Sequence, residues 1–407
     1  MRIIQISAVY GVGSVGKIVA DIHRYLVASK NDSWVLYGVG PSSKSKDGLF
    51  RIASRLERNI AHAYYLLSGI NFDLCWFSTA RILRLIKSID PDIVHVHCCN
   101  DYYVNIHRLL RVLNKWGTKI VITQHCEHYY TGSCGYSLGC EKWKTTGCDS
   151  HCHFFEKHRH GYPFFDRSRL MWLRMQRTFR AINPDNVHFV SCTPWLEERM
   201  GKSIILGRFI HRSVIYNGAD TSIYHIHENQ NSAKKIVLYV TPRFEDEIKG
   251  SKYINEIAGE FLGNEQVEFH LVGNVPSDFK CRENIKILGP LFGEQLAHEY
   301  SRASVTLMLS KAECFPMVCV ESLLCGTKIV AFECGGPDKA YDPFFATFVP
   351  WGDFKGMAAA ITHNLREYDK KLVSRKAAEL YSSSVMASAY YRLYLSFADQ
   401  SHTRLFF

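Results

Sequence analysis

No run of about 18 consecutive apolar residues occurs in the 407-residue chain, so no segment is expected to cross a bilayer as a helix. Low-complexity tracts are missing, and no stretch repeats at a solenoid period, which excludes stacked-repeat and compositionally biased architectures. The opening residues, MRIIQISAVYG, lack a basic start, a long apolar core and a small-residue cleavage site; they are expected to form a strand, not an export signal. Apolar residues are otherwise plentiful, at 47% hydrophobic against 22% charged, which describes a globular protein. The length suits two domains of roughly 150–200 residues each. Acidic charge is in deficit: 49 Lys+Arg face 39 Asp+Glu, a net charge of +10. Such a balance favours phosphates, nucleic acid or an anionic membrane surface without choosing among them. The 14 cysteines, without an export signal, point to free thiols or metal ligands before disulfides.

Short apolar runs alternate with helical spacing throughout. RIIQIS (2–7), SWVLYGVG (33–40), DIVHVHCC (92–99), KIVITQH (119–125) and VHFVSCT (187–193) read as strands. Helices are expected over KIVADIHRYLVASK, where Ile18, Ile22 and Leu26 keep a helical period, and around 104–115. The pattern restarts with KIVLYV (235–240), EFHLVGN (268–274), NIKILG (284–289), SVTLMLS (304–310) and KIVAFECGG (328–336). Alternation of this kind predicts parallel sheets covered on both faces. The expected domains are 1–210, with a Cys-rich insert at 126–153, and 211–385, joined through the polar HENQNSAKK (227–235). Residues 386–407 are expected to carry a terminal amphipathic helix that packs back on the first domain. Ligands of open parallel sheets bind outside the carboxyl ends of the strands, so two such sheets facing each other would form a cleft.

Gly11-Val-Gly13-Ser-Val-Gly16-Lys17 ends one strand and opens a helix. A dinucleotide fingerprint would need an acid at the end of the next strand, where Tyr37-Gly38-Val39-Gly40 stands. A P-loop would need a hydroxyl where Ile18 stands. The preferred reading is a turn whose backbone amides face a phosphate or substrate, with a ligand-free tight turn as the alternative. Val214-Ile-Tyr-Asn217-Gly218-Ala-Asp220 reads as a structural turn. Asp90-Pro91-Asp92 has the D-x-D pattern of metal-dependent sugar transferases but precedes its strand, so it too reads as a turn.

Ser310-Lys-Ala-Glu313-Cys-Phe315-Pro316-Met317-Val318-Cys-Val-Glu321 is the most informative stretch. A strand ends, a loop carries Glu313, Pro316 suits the first turn of a helix, and Gly326 suits its end. The free amides near 315–318 would take phosphates, Glu321 one turn further on would accept the hydroxyls of a ribose, and Glu313 would reach a sugar. Arg243 and Lys249, after the first strand of the second half, would neutralise a diphosphate; Glu245, Asp246 and Glu247 between them also suit a solvated loop.

Cys134, Cys140, Cys148 and Cys152 share a glycine- and aromatic-rich segment with His151 and His153. Reduced buried thiols are the preferred state; a structural zinc and a disulfide stay open. Residues 156–180 carry seven Lys/Arg against two acids, with Phe164, Phe165, Trp172 and Phe179 interleaved. That composition suits an anionic lipid surface, nucleic-acid contact or a solvated helix.

Taken together, these motifs resemble the retaining glycosyltransferases of family 4, which have the GT-B fold. Glu313-Cys-Phe-Pro316, Glu321 and Gly326-Thr-Lys-Ile-Val-Ala are similar to that family's Glu-Gly-Phe-Pro, second Glu and Gly-x-Pro-Val-Val-Ala. Asn217-Gly218-Ala-Asp220, Leu271-Val-Gly273-Asn274 and the Arg243–Lys249 pair extend the resemblance. Thr123-Gln-His125-Cys126, Thr131-Gly132-Ser-Cys134 and Trp143-Lys-Thr-Thr-Gly147-Cys148 resemble a branch that includes the colanic acid fucosyltransferase. Cys314 and Cys126 depart from the family's Gly and Asp.

The resemblance implies an α/β chain of two Rossmann-like domains facing across a cleft. It further implies metal-independent transfer, with retention, from a UDP- or GDP-sugar to a growing, lipid-linked bacterial surface polysaccharide. His125 and Glu313 would serve the sugar and Gly13 and Gly16 the donor phosphate and acceptor. Arg243, Lys249, Phe315, Pro316, Met317, Val318 and Glu321 would hold the nucleotide. No cofactor and no nucleic acid are expected, and the setting would be the cytoplasmic face of the inner membrane. A non-catalytic basic module for nucleotides or nucleic acid is the rival from another class.

Overall fold

A computed structural model describes residues 1–43, 45–97, 102–131, 134–149, 151–152, 163–227 and 233–399. His153, residues 156–162 of the basic segment and most of the expected linker lie outside them. The chain divides into two compact units, one of residues 1–215 together with the chain from Ala387 on, the other Tyr216–Met386.

The first unit is built on seven parallel strands: β1 (Arg2–Val9), β2 (Asp32–Val39), β3 (Leu49–Arg51), β4 (Ile93–Val96), β5 (Ile120–Gln124), β6 (Val187–Ser191) and β7 (Arg212–Val214). They lie in the order β3-β2-β1-β4-β5-β6-β7, so the winding reverses between β1 and β4. Ile3, Ile4, Ile6, Val94, Val96, Val121, Ile122 and Phe189 are buried. Continuous apolar runs of this kind arise because helices cover both faces of a parallel sheet. The terminal helix Ser383–Asp399 belongs to this unit from Ala387 on; Tyr390 and Tyr394 are buried in it and hydrogen-bond Thr123 (3.0 Å) and His95 (2.6 Å).

The second unit carries six parallel strands: β8 (Lys235–Val240), β9 (Val267–Val272), β10 (Ile285–Gly289), β11 (Val305–Met308), β12 (Ile329–Phe332) and β13 (Ala346–Val349). Their order, β10-β9-β8-β11-β12-β13, reverses between β8 and β11. Val237, Tyr239, Phe269, Leu271, Leu307, Leu309, Val330 and Phe332 pack with Ile254, Ile257, Met357 and Ile361 from two helices into one core. Asn217-Gly218-Ala219 is a structural connection: Ala219 N–H donates to the Tyr381 carbonyl (3.0 Å) and Ser383 N–H to the Ala219 carbonyl (2.8 Å).

One region differs from the sequence expectation. The helix Ser168–Arg180 buries Met171, Trp172, Met175 and Phe179; Trp172 and Phe179 therefore belong to the core and not to a lipid-facing surface. Among the described aromatic residues of that segment, Phe164 and Phe165 are exposed. Exposed apolar side chains instead line the helix Arg55–Ser68, where Leu56, Ile60 and Leu67 recur at helical spacing. The first turn of the helix Trp76–Ile89 adjoins it, for Glu57 accepts from the Phe77 and Ser78 amides (3.0 and 3.2 Å). At the other end Phe164 N–H reaches the Leu66 carbonyl (2.8 Å).

In the Cys-rich insert one buried carboxylate organises the backbone. Glu127 accepts from Ser137 N–H (2.5 Å), Tyr130 Oη (2.7 Å) and Arg199 Nε (2.6 Å), and the Arg199 guanidinium lies over Trp143 and Trp195. Cys134, Cys140 and Cys148 are free thiols, and Cys152 lies beside them. They are neighbours: burial, then the proximity of Cys148, holds the Cys134 thiol far above its ordinary pKa, and burial, then Cys152 and Cys140, pushes Cys148 up to about 12. Among the described residues, however, no three His, Cys, Asp or Glu side chains are grouped as ligands for a metal ion.

Candidate active site

In the second unit, the loops at the reversal point gather the candidate residues. The turn after β8 carries Arg243 and Lys249, and the loop after β11 carries Glu313 and Phe315–Val318. Strands diverge here, so the loops leave a crevice at the carboxyl edge. Lys249 Nζ meets Glu313 Oε1 at 2.5 Å, and Ser310 Oγ donates to the same oxygen at 3.0 Å. The Glu313 side chain is 7% exposed. Breaking such a pair by removing one partner typically costs about 3–5 kcal/mol, because the other charge stays buried. Arg243 is exposed.

Two glycines make that approach possible. Gly250 has φ +71°, and a Cβ there would overlap the Leu309 carbonyl. The turn bearing Lys249 therefore lies directly against the end of β11. Gly336 allows the segment after β12 to lie on the Glu313 loop: its N–H donates to the Glu313 carbonyl (3.0 Å), Glu313 N–H donates to the Cys334 carbonyl (3.1 Å), and a Cβ would collide with the Cys314 carbonyl. Sequence reasoning treated Cys334-Gly335-Gly336 only as a strand end; the paired glycines were the available signal.

The helix Met317–Leu324 begins with Pro316 as its cap, without a capping side chain or an acid in its first turn. By contrast, Asn105, Thr193, Asp353 and Asp369 cap other helices with side-chain oxygens. The positive end of the Met317–Leu324 dipole is thus uncompensated by side chains of its own first turn, a setting that favours an anion. Phe315 and Met317 turn their side chains into the core, with Phe315 stacked on Tyr216 and Tyr341; their contribution to any ligand is through the backbone. Glu321 is buried, and Tyr300 Oη donates to its Oε2 at 3.4 Å. Burial, then the Glu321 carboxylate, raises the pKa of Tyr300 and Tyr224, which keeps both phenols protonated as donors beside it.

The first unit places its candidates at the carboxyl edge of its sheet, at its own reversal point and one strand beyond it. Gly13 opens the helix Gly13–Ala28, Gly11 N–H closes the preceding turn on the Gly16 carbonyl (2.9 Å), and Gly11, Gly13 and Ser14 are exposed. His125 follows β5 and is half-buried. It meets His97, which follows β4, at 3.3 Å between Nε2 and Nδ1. Asp90-Pro91-Asp92 lies at the opposite, amino edge of the sheet, where Asp92 Oδ2 accepts from Arg2 N–H (2.7 Å).

The Gly13 and His125 positions and the Lys249–Glu313 pair set the chemistry against which known proteins can be compared. A family model described as "Glycosyl transferases group 1" matches residues 234–367, and one described as "Glycosyl transferase 4-like" matches residues 52–134. WcaC of Escherichia coli (strain K12), a glycosyl transferase named for colanic acid biosynthesis, is 21% identical over 350 residues, 81% of this chain and 83% of that protein. Among solved structures, sucrose-phosphate synthase from Thermosynechococcus elongatus superposes with TM-score 0.69 at 15% identity, over 97% of this chain and 99% of that one. HepE from Anabaena, in complex with UDP-glucose, gives 0.63 at 12% identity over 97% and 100%. WaaG, a glycosyltransferase involved in lipopolysaccharide biosynthesis, gives 0.61 at 13% over 98% of each chain. The fold is GT-B. With both family models matching, the chain is a glycosyltransferase.

Burial also makes the first unit pH-sensitive. It lowers the pKa of His107, His125, His128 and His188 to about 4, and holds that of His95 and His97 well below the ordinary value. The unfolded chain takes up protons near pH 6.5 that the folded unit refuses, so stability is full above that value and declines as pH falls toward 4. Each unit of depression is worth about 1.4 kcal/mol once both values are passed. Urea midpoints measured from about pH 7.5 to about pH 5 should fall steadily; a constant midpoint would show that these rings protonate in the folded state.

Proposed function

We propose that the chain transfers a sugar, with retention and without a metal ion, from a UDP- or GDP-sugar to a lipid-linked bacterial surface polysaccharide. The observation that carries the reading is the convergence of Lys249, Glu313 and the uncapped helix start at Pro316 on one strand reversal. Departure of the diphosphate builds negative charge, which Lys249, Arg243 and the amides near Met317 and Val318 are suited to stabilise. That is the role Mg²⁺ would otherwise take. Glu321 is assigned to the ribose and Glu313 to the transferring sugar, while His125 and the Gly13–Gly16 turn are the first unit's contribution to substrate binding. The names of WcaC and WaaG support a polysaccharide or lipopolysaccharide product; HepE supports a UDP-sugar.

Glu321→Ala should weaken binding of the free nucleoside diphosphate by roughly 1.5–3 kcal/mol, the worth of a hydrogen bond to a charged group. Glu313→Ala should leave diphosphate binding nearly intact and cut turnover with the full donor. Lys249→Ala should impair both, and wild-type turnover should persist in EDTA. Calorimetry beside a transfer assay reads all of these. Wild-type diphosphate affinity in Glu321→Ala would remove the nucleotide from this helix, and loss of turnover in EDTA, restored by Mg²⁺, would replace Lys249 and Arg243 as the charge stabilisers.

No helix among the described residues is long and apolar enough to span a membrane. Peripheral binding is proposed instead through Leu56, Ile60, Leu67 and Phe77, the last 84% exposed, flanked by exposed Arg55, Arg81 and Arg84. Apolar side chains would enter the headgroup region while the arginines meet anionic lipid. The protein should pellet with anionic vesicles at low salt and be released at high salt, and a Leu56→Ser/Leu67→Ser variant should stay in the supernatant. Equal pelleting of that variant and the wild type would dismiss this surface.

A further inference from the structure

Three side chains on one face of the first sheet form a hydrogen-bonded line. Gln5 lies on β1, His97 follows β4, and His125 follows β5. Gln5 Nε2 donates to the Val19 carbonyl of the covering helix (3.4 Å). That contact turns the amide oxygen toward His97, with Oε1 3.1 Å from Nε2. An amide oxygen carries no proton, so His97 Nε2–H is the donor. His97 is buried in full and neutral, because burial and then the neighbouring His95 hold its pKa far below the ordinary value. Its Nδ1 is consequently a bare lone pair. That lone pair is 3.3 Å from His125 Nε2, with the two rings nearly parallel; the proton between them can only belong to His125. A neutral His125 with its proton on Nε2 has a lone pair on Nδ1.

The line is anchored against alternatives. Tyr129 Oη donates to the His97 carbonyl (2.9 Å), and His95, whose ring lies against His97, is committed to Tyr394 and Thr123. His97 therefore has no competing partner among these neighbours. Among the described residues no group hydrogen-bonds His125 Nδ1, and the residue is half-buried, not sealed.

We infer that Gln5 and His97 are positioning residues that fix His125 as the Nε2–H tautomer, leaving Nδ1 to accept a hydrogen bond from a ligand hydroxyl. A bare lone pair attracts an O–H and repels a carboxylate, carbonyl or phosphate oxygen. His125 would accordingly select a sugar position that carries a hydroxyl, and would not serve the diphosphate. This deepens, and rests on, the assignment of His125 to substrate binding.

The test is the histidine ring ¹⁵N spectrum of the whole chain, first without ligand. Wild-type His125 should show one tautomer, protonated at Nε2, with a slowly exchanging ring proton. Because that tautomer is also the commoner one in water, the deciding variant is Gln5→Glu. A carboxylate facing His97 draws a proton onto the ring, His97 Nδ1 becomes a donor, and His125 Nε2 must accept, so the His125 proton should move to Nδ1. Gln5→Leu, of similar size and without charge, should give a mixture. An Nδ1–H signal in wild type, or one unchanged Nε2–H pattern in all three proteins, overturns the inference. The activity arm separates it from the reading beneath it: Gln5→Glu should raise the sugar-dependent KM about tenfold while leaving nucleoside diphosphate affinity alone. A moved proton with an unmoved KM would uphold the relay and overturn the contact between His125 and the sugar.

Discussion

Every strand pair in both sheets is parallel, and from that constraint the placement of the chemistry follows. Parallel strands all end on the same edge, so the loops that leave them collect there, whatever their distance in sequence. Where the winding order reverses, two neighbouring strands send their chains in opposite directions and open a crevice. In the second unit β8 and β11 flank that point. Residues 64 positions apart, Lys249 and Glu313, become ion-paired as a result. In the first unit β1 and β4 flank the equivalent point, which puts the Gly11–Gly16 turn and His97 on the same edge.

The electrostatics of the two units differ in kind. The second unit holds charges: Glu313 against Lys249 and Ser310, and Glu321 against protonated tyrosines. A carboxylate taken out of water is costly unless paired, so each is fixed in direction by its partners before any ligand arrives. Such fixed groups suit recognition, because little reorganisation remains when a ligand binds. At its reversal point the first unit holds neutral rings instead, its buried Glu127–Arg199 pair lying at the Cys-rich insert. Its histidines are kept uncharged by burial, and their information lies in which nitrogen carries the proton.

Much of the frame was legible in the sequence. KIVLYV predicted β8 to the residue, Lys235–Val240, because a strand covered on both faces needs an unbroken apolar run. The two parallel sheets followed from the same alternation, and the GT-B arrangement from the resemblance of the Glu313–Glu321 motif to its family. Two edge strands were not legible: β3 and β13 are short, and their burial alternates with partly exposed positions, so no unbroken apolar run marks them. The segment 156–180 was misleading for a different reason. A basic helix with aromatic residues shows that one face is apolar, but periodicity does not say whether that face meets lipid or the core, and Trp172 and Phe179 went to the core. Glu313 and Lys249 could each be nominated from local motifs, yet their pairing, like the Gln5–His97–His125 line, depends on strand order and has no local signature.

The central claim is that the loops after β8 and β11 hold the nucleoside diphosphate. Amide hydrogen exchange, with and without UDP or GDP, reads this across the whole chain in a single experiment. Exchange should slow in 241–250 and 310–322, where the turn bearing Lys249 and the start of the Met317–Leu324 helix would be covered. Protection confined to the Gly11–Lys17 turn, with those two segments unchanged, would contradict it.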